Sequence, residues 1–332
     1  MAQLPSACRP NKRLIFNLNN HGKSARVDVL TNGQIHWVAG SRSHAWMSLT
    51  GIVFTRSTHS RHQSPLKLLS SWRNYAHSYG HSSFTVHNGI CVVEGLLRRG
   101  GGNNMARVPA ACRPAGRLIF NMNNHQHSAR VDLQTNGYMS WHAGGRSHGW
   151  LSVSGMILAV RAGRSSRAPT VAKSGIGFVN RWRNYGHGYM PLRVFKRGGF
   201  CILEGLIKNG GGGWNLLAQF GSDCRPNKRL IFSVNNHQSQ ARLDVLRNGQ
   251  VHWVAGGKHH GWISVSGVAF AARSAGQKGL SLRNHWRNYG GAYGSSSYRV
   301  QGDLCMVSGL IRGNRWGFMA QLPSACRPNK RL

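Results

Sequence analysis

An all-β fold of tandem antiparallel β-sandwich modules, jelly-roll-like in character, is what this sequence predicts. Three observations carry the prediction. A long internal repeat runs through the chain, an Asn-Gly turn separates β-rich runs in every copy, and no segment keeps a helical period.

The repeat is marked by Trp72-Arg73-Asn74-Tyr75, which returns at Trp182-Arg183-Asn184-Tyr185 and Trp286-Arg287-Asn288-Tyr289, 110 and 104 residues apart (72 to 182 to 286). Each block continues through Gly95-Leu96, Gly205-Leu206 or Gly309-Leu310 and then a Cys-Arg-Pro at Cys112, Cys224 or Cys326. R-L-I-F, N-N-H, A-R-[VL]-D, Asn-Gly and H-x-W-x-S follow in that order. A unit of roughly 90–100 ordered residues can bury its own core, so the copies read as domains rather than solenoid turns. Two are whole, at 72–160 and 182–272. A third is split between 286–332 and 1–57, an arrangement that admits pseudo-threefold symmetry. The intervening stretches 58–71, 161–181 and 273–285 are rich in Ser, Arg and Gly and read as linkers.

The first fourteen residues, Met1 to Leu14, recur as Met319 to Leu332, so one strand exists twice. The contiguous copy, with Cys326 beside Cys305, is expected to fill the slot after Gly309-Leu310, because its loop closes at small entropy cost. Cys8 and its neighbours are then expected to be displaced. If neither copy closes a unit, the chain is a slice of a longer array.

Within a unit the strands follow from local chemistry. Arg26 to Thr31 and Gln34 to Val38 flank Asn32-Gly33, a signal for a two-residue type I′ hairpin. Asn136-Gly137 and Asn248-Gly249 occupy the same place in the other copies. Cys91 to Leu97 and Met105 to Val108 flank a glycine-rich tip and read as a second hairpin. Trp150 to Met156 reads as one further strand, apolar residues alternating with Ser.

Forty-three Lys+Arg against seven Asp+Glu give a net charge of +36. That balance favours polyanions: acidic or sulfated glycans, nucleic acid, or anionic membrane surfaces. No apolar run is long enough to span a bilayer, and no secretory signal peptide is evident. Met1 recurs inside the chain as Met319, which leaves open whether the N-terminus is complete. Asp28, Asp132 and Asp244 share one repeat position; Glu94 and Glu204 share another, replaced by Ser308 in the third copy. No carboxylate pair is left over at a single site for acid/base work, which counts against a glycosidase. No nucleophile elbow, P-loop, dinucleotide fingerprint or zinc-protease motif occurs, and no cofactor is expected.

Seven cysteines fall as Cys91/Cys112, Cys201/Cys224 and Cys305/Cys326, with Cys8 over. Placed at mirror positions across one hairpin, each pair would come near disulfide range; two reduced, buried thiols are the alternative. Zinc is not expected, since no C-x-x-C occurs.

Two constellations are candidate ligand sites. A two-residue turn sets Asp28 opposite Trp37, Asp132 opposite Trp141 and Asp244 opposite Trp253, with Arg26, Arg130 and Arg242 two residues back. A Trp beside a carboxylate and a guanidinium suits a sugar; an Arg–Asp pair packed on Trp as sheet structure is the alternative. The second set is Asn20-His21, Asn124-His125 and Asn236-His237, each joined by a later histidine and tryptophan: His44 and Trp46, His148 and Trp150, His260 and Trp262. These suit a glycan or another polar ligand, or else bond local backbone as polar loops. No third ligand of fixed spacing supports a metal.

The motif order resembles C-terminal modules of phage tail and tail-fibre proteins, which carry W-x-x-Y-G, G-L-I, L-P-x-G-Y-R-P, R-V-D and W-[LI]-S-L-x-G in the same sequence. The resemblance covers both whole copies and both halves. It implies a β-sandwich at the tip of a trimeric fibre that contacts a host surface, often through glycans. This chain departs from it in three ways. Cys112, Cys224 and Cys326 stand where the family has Tyr, the charge is higher, and several copies share one chain.

Function is therefore expected to be non-enzymatic, lectin-like recognition and adhesion, through repeated equivalent sites that bind an anionic glycan or other polyanion. The expected location is extracellular or a virion or cell surface. A sequence-independent nucleic-acid-binding protein and a structural fibre or matrix component are the other two expectations, and the oligomeric state is left open.

Overall fold

The computed structural model describes residues 9–57, 62–160, 170–171 and 175–321. Every regular element longer than a single turn is a β-strand, and no α-helix occurs among the described residues.

Each whole repeat unit builds one large and one small antiparallel sheet, and the described residues of the split unit build sheets of five, four and three strands. In the first unit, eight strands follow in spatial order: Lys67–Leu68, Asn104–Arg107, Tyr138–Gly144, His127–Leu133, Leu118–Asn124, Trp150–Ser152, Leu96–Arg98 and Arg73–Asn74. Met156–Ala159, Ile90–Glu94, Ser83–His87 and Ser64–Pro65 form its four-stranded sheet. The second unit repeats this order from Ile176–Phe178 to Val268–Ala271.

The split unit is closed by residues from both parts of the chain. Leu304 pairs with Thr55, Ile311 with Met47, and Ile35 with Ala320. One hydrophobic cluster joins Leu14, Phe16, Val27, Ile52 and Phe54 to Trp286, Cys305, Val307, Ile311 and Met319. The duplicated strand is shared between its two copies. Phe318–Gln321 of the contiguous copy pairs with Gln34–Gly40. The Arg-Pro turn that follows is supplied by the other copy: the carbonyl of Arg9 accepts from the Ser57 amide, as that of Arg225 accepts from Arg273. Arg9 and Pro10 are thus in place, not displaced. Covalent continuity explains it, since they lead into Leu14–Asn20, whose register against Lys23–Val29 is fixed over seven residue pairs. Cys8 and Cys326 lie outside the described residues; Cys305 is disulfide-bonded.

Several local expectations need correction. Cys91 to Leu97 and Met105 to Val108 do not form a hairpin. The first run crosses between sheets at Gly95, where φ is +123° and a Cβ would stand 2.5 Å from the His81 carbonyl oxygen. Only Gly fits that bend. Leu96–Arg98 then pairs with Trp150–Ser152, whereas Asn104–Arg107 pairs with Tyr138–Gly144 at the far end of the sheet. Nor is Trp150 to Met156 one strand: it breaks after Ser152 and resumes at Met156 in the other sheet. The stretches read as linkers contribute edge strands, with Ser64 paired to Phe84, Leu68 to Ala106 and Ile176 to Phe220.

The Cys91–Cys112 and Cys201–Cys224 disulfides are present, with Cα atoms 5.6 and 5.7 Å apart. They join the small sheet to the turn before Leu118–Asn124 or Leu230–Asn236, not two strands of one hairpin.

The units pack against one another through apolar and polar contacts. Along Ile90–Glu94, Cys91 and Val93 face the unit's own core while Ile90 and Val92 join a cluster with Phe200, Ile202, Leu304 and Met306. A strand buried on both faces explains the unbroken apolar run. Polar contacts repeat from unit to unit: Ser152 Oγ donates to the Ile15 carbonyl, Ser264 Oγ to Ile119 and Ser48 Oγ to Ile231, each at 2.6 Å.

Two buried carboxyls sit at these junctions. Glu94 accepts from the Thr55 amide at 2.9 Å, and Glu204 from the Ala159 amide at 2.5 Å. Burial pushes both up to about 8. The folded value lies above the ordinary carboxyl range, so the stability each group contributes is full below that range and is lost as pH rises to about 8. Chemical denaturation between pH 7 and 8, above the range in which the histidines with lowered pKa oppose it, should show stability falling by up to about 1.4 kcal/mol per pH unit for each carboxyl. Glu94→Gln with Glu204→Gln should flatten that dependence. Separately, Cys201→Ala with Cys224→Ala should cost about 3 kcal/mol in the same assay.

Candidate functional site

The Arg–Asp–Trp constellation is not the open face that a two-residue turn implies. Gly33 donates its amide to the Leu30 carbonyl at 2.8 Å and has φ +82°. This is a type I turn closed by a left-handed glycine, a three-residue loop. The register moves by one residue: Asp28 faces His36, and Trp37 faces Val27. Since successive side chains alternate between faces, the slip turns the tryptophan away from the carboxylate. Val131 likewise faces Trp141, and Leu243 faces Trp253. These tryptophans pack on their own units' cores.

The Arg–Asp pairs are the cement between units. Asp28 is fully buried and accepts from Arg26 Nε and Nη2 at 2.7 Å and from Arg13 Nε at 2.6 Å. The Arg26 guanidinium lies 5.2 Å from the Trp150 ring and bonds Tyr79 Oη at 3.1 Å and His125 Nδ1 at 3.2 Å, all in the first unit. Arg130, paired to Asp132, reaches Trp262, Tyr189 and His237 of the second unit in the same manner. Arg242, paired to Asp244, returns to Trp46, Tyr293 and His21 of the split unit. Each unit thus holds the next, and the last holds the first.

In the Asn–His constellation the asparagines bond local backbone. Asn20 Nδ2 donates to the carbonyls of His44 and Trp46, at 3.0 and 2.5 Å, clamping the loop between them. Asn124 does the same for His148 and Trp150, and Asn236 for Trp262. His21 stacks on His44 at 4.5 Å, His125 on His148 and His237 on His260 at 4.4 Å, beside Trp46, Trp150 and Trp262. Arginine only donates, so Nδ1 of His21, His125 and His237 accepts and each ring is the neutral Nε2–H tautomer. Burial, then the second histidine, then the arginine hold all three below the usual imidazole value. No cluster of three metal-ligating side chains occurs among the described residues.

A different site emerges at a sheet edge, that of the eight-stranded sheet in the two whole units and of the three-stranded sheet in the split unit. There Arg73 stands directly opposite Arg98, Arg183 opposite Lys208, and Arg287 opposite Arg312. Five of these six side chains are exposed and Lys208 is half-buried. Like charges directly across a strand pair are destabilising. Carboxylates do not offset them. Asp28, Asp132 and Asp244 are committed to their arginines, Glu94 and Glu204 are buried, and Asp303 engages His62 and His87. Asp223 lies in the turn at Ser222–Cys224.

Beside each pair the backbone is strained. Ser70 and Ser71 take φ +50° and +60°, Asn180 and Arg181 +51° and +60°, Asn284 and His285 +55° and +63°. Two successive left-handed residues form a type I′ turn, which normally takes Asn-Gly. The turn delivers Trp72, Trp182 or Trp286, whose ring nitrogen donates to Gly102, Gly213 or Arg315. In the split unit, His285, Trp286, Arg287, Arg312 and Asn314 line a groove of about 590 Å³. In the sequence the W-R-N-Y arginine stands out only as a repeat marker. The signal that reveals it is a second cation at constant spacing in all three copies.

No protein-family model, curated protein or solved structure matches this chain. Arg130→Ala should cost about 3–5 kcal/mol in equilibrium unfolding, because it leaves the Asp132 carboxylate buried with only Arg117 and, at 4.0 Å, the His142 ring beside it. A double-mutant cycle with Trp262→Ala should give a coupling energy of at least about 0.5 kcal/mol across the unit boundary.

Proposed function

We propose that this protein is a non-enzymatic, lectin-like recognition protein that binds anionic surface glycans through repeated, equivalent basic sites. The observation that carries this reading is the cross-strand cation pair at the sheet edge, present in all three units. Two guanidinium groups, or a guanidinium and an ammonium, held side by side without a carboxylate present bidentate donors to sulfate or carboxylate groups. The strained turn next to each pair adds weight, because strain of this kind concentrates at ligand-binding segments. In the second unit the Lys208 ammonium lies 5.3 Å from the Tyr185 ring, placing an aromatic body beside the charge.

The finer architecture belongs to the same proposal. Each unit is read as a jelly-roll-like β-sandwich, and the three as standing about a pseudo-threefold axis; the cyclic order of the Arg–Asp contacts supports this. One chain would then present what a trimeric fibre tip presents with three, and weak sites would gain through avidity. The disulfides favour an oxidising setting such as an extracellular or virion surface.

The test is retention on heparin and on neutral dextran across a salt series, beside a variant with all six edge cations replaced by Ser. The wild type should be held by heparin alone, with retention falling steeply as salt screens the contacts. The sixfold variant should elute at much lower salt while unfolding at the wild-type temperature or above it. Equal retention of the two proteins would sink the reading. A gel shift in which double-stranded DNA outcompetes heparin for the same six residues would instead favour a nucleic-acid-binding protein.

A further inference from the structure

The three hairpin tips that follow Asn20, Asn124 and Asn236 converge on one cavity of about 490 Å³, separate from the edge cations. Its floor is formed by Ser24, Ser128 and Gln240, one from each unit, each less than a tenth exposed. They are tied together across the unit boundaries. Ser24 Oγ lies against Ser128 Oγ and donates to Gln240 Oε1 at 3.0 Å, while Gln240 Nε2 reaches the His21 carbonyl at 3.4 Å. Exposed Lys23, His127 and His259 stand around the mouth. No carboxylate lines it.

We propose that this shared mouth binds a single acidic sugar residue, a hexose bearing a carboxylate or a sulfate. The chemistry of the lining selects that class. The Lys23 ammonium and two imidazoles at the mouth, with no carboxylate beside them, favour an anionic group over a cationic one. Hydroxyl, amide and glycine backbone groups match the hydroxyls of a sugar ring. The volume lies within the range of about 300–1,000 Å³ typical of small-molecule sites and exceeds what an inorganic anion needs. No Trp or Tyr lines the cavity, so the ring is held by hydrogen bonds and charge rather than by stacking.

Divergence between the copies supports a built site. Equivalent positions carry Ser24, Ser128 and Gln240 on the floor, and Lys23, His127 and Ser239 beside them. Three identical walls would offer a ligand three equal poses. These walls offer one. Stoichiometry therefore separates this site from the edge pairs: one ligand per chain here, three there.

Isothermal titration of the whole protein with glucuronate, glucose 6-sulfate and glucose tests the proposal. Glucuronate, glucose 6-sulfate or both should bind at one per chain, and glucose at least about tenfold more weakly, the equivalent of about 1.4 kcal/mol. Lys23→Ala/His127→Ala/His259→Ala should weaken that binding about tenfold without changing the unfolding temperature, whereas the sixfold edge variant should leave it intact. A second variant, Gln238→Trp, fills the mouth from an exposed position and should abolish binding. The proposal is overturned if neither acidic sugar saturates at millimolar concentration. It is equally overturned if the stoichiometry is three and the edge variant removes it, or if the triple variant binds as the wild type does. Retention on heparin can succeed or fail independently of all these outcomes.

Discussion

The arrangement of the chain depends on one buried ion pair, repeated. Arg26 and Asp28 sit two residues apart on one strand, on the face turned away from the unit's core, where the guanidinium meets the next unit's Trp150 and His125. A buried carboxylate is tolerable only with its lone pairs filled, and here two arginines fill them. The pair therefore fixes the strand face, the docking of the neighbour and the tautomer of the neighbour's histidine together. Recurring in each unit, it makes a closed circuit in which the split unit is held from both sides.

That circuit also explains the surface. The chain has seven acidic residues, and three of them are consumed by the Arg–Asp pairs. Two more are buried at the junctions as Glu94 and Glu204. The positive charge is thus not a property of composition alone. The fold withdraws negative charge from the surface and leaves the arginines and lysines outside, where repulsion between them destabilises the compact state at low salt.

Much of this was legible in the sequence, and the failures are physical. The all-β class follows from the Asn-Gly turns and the lack of any helical period, whereas the cysteine spacing left disulfides and reduced thiols both open. The Arg–Asp–Trp face failed because a loop of three residues looks like a loop of two when Asn-Gly ends it. One residue of register is the difference between a Trp beside Asp28 and a Trp in the core. The false hairpin at Cys91 failed for a related reason. Gly95 signals a bend, but sequence does not say that the bend passes the strand into a different sheet. Contacts between units, such as Arg26 on Trp150, have no local pattern at all.

The edge cations have a competing explanation in the protection of sheet edges. Charged residues on an edge strand keep sheets from pairing edge to edge, and Arg73, Arg183 and Arg287 stand on such strands. That role would be met by one charge per edge, on a strand of any turn type. It does not call for a second cation directly opposite, since a charge on the inner partner strand adds repulsion without guarding the edge. Nor does it call for two successive left-handed non-glycine residues at the approach, each costing of order 1–3 kcal/mol. Three units that differ in loop length and in many surface residues retain all of these features together. Recognition of something anionic resting across both strands, as proposed, is a requirement that would act on the pair and the turn jointly.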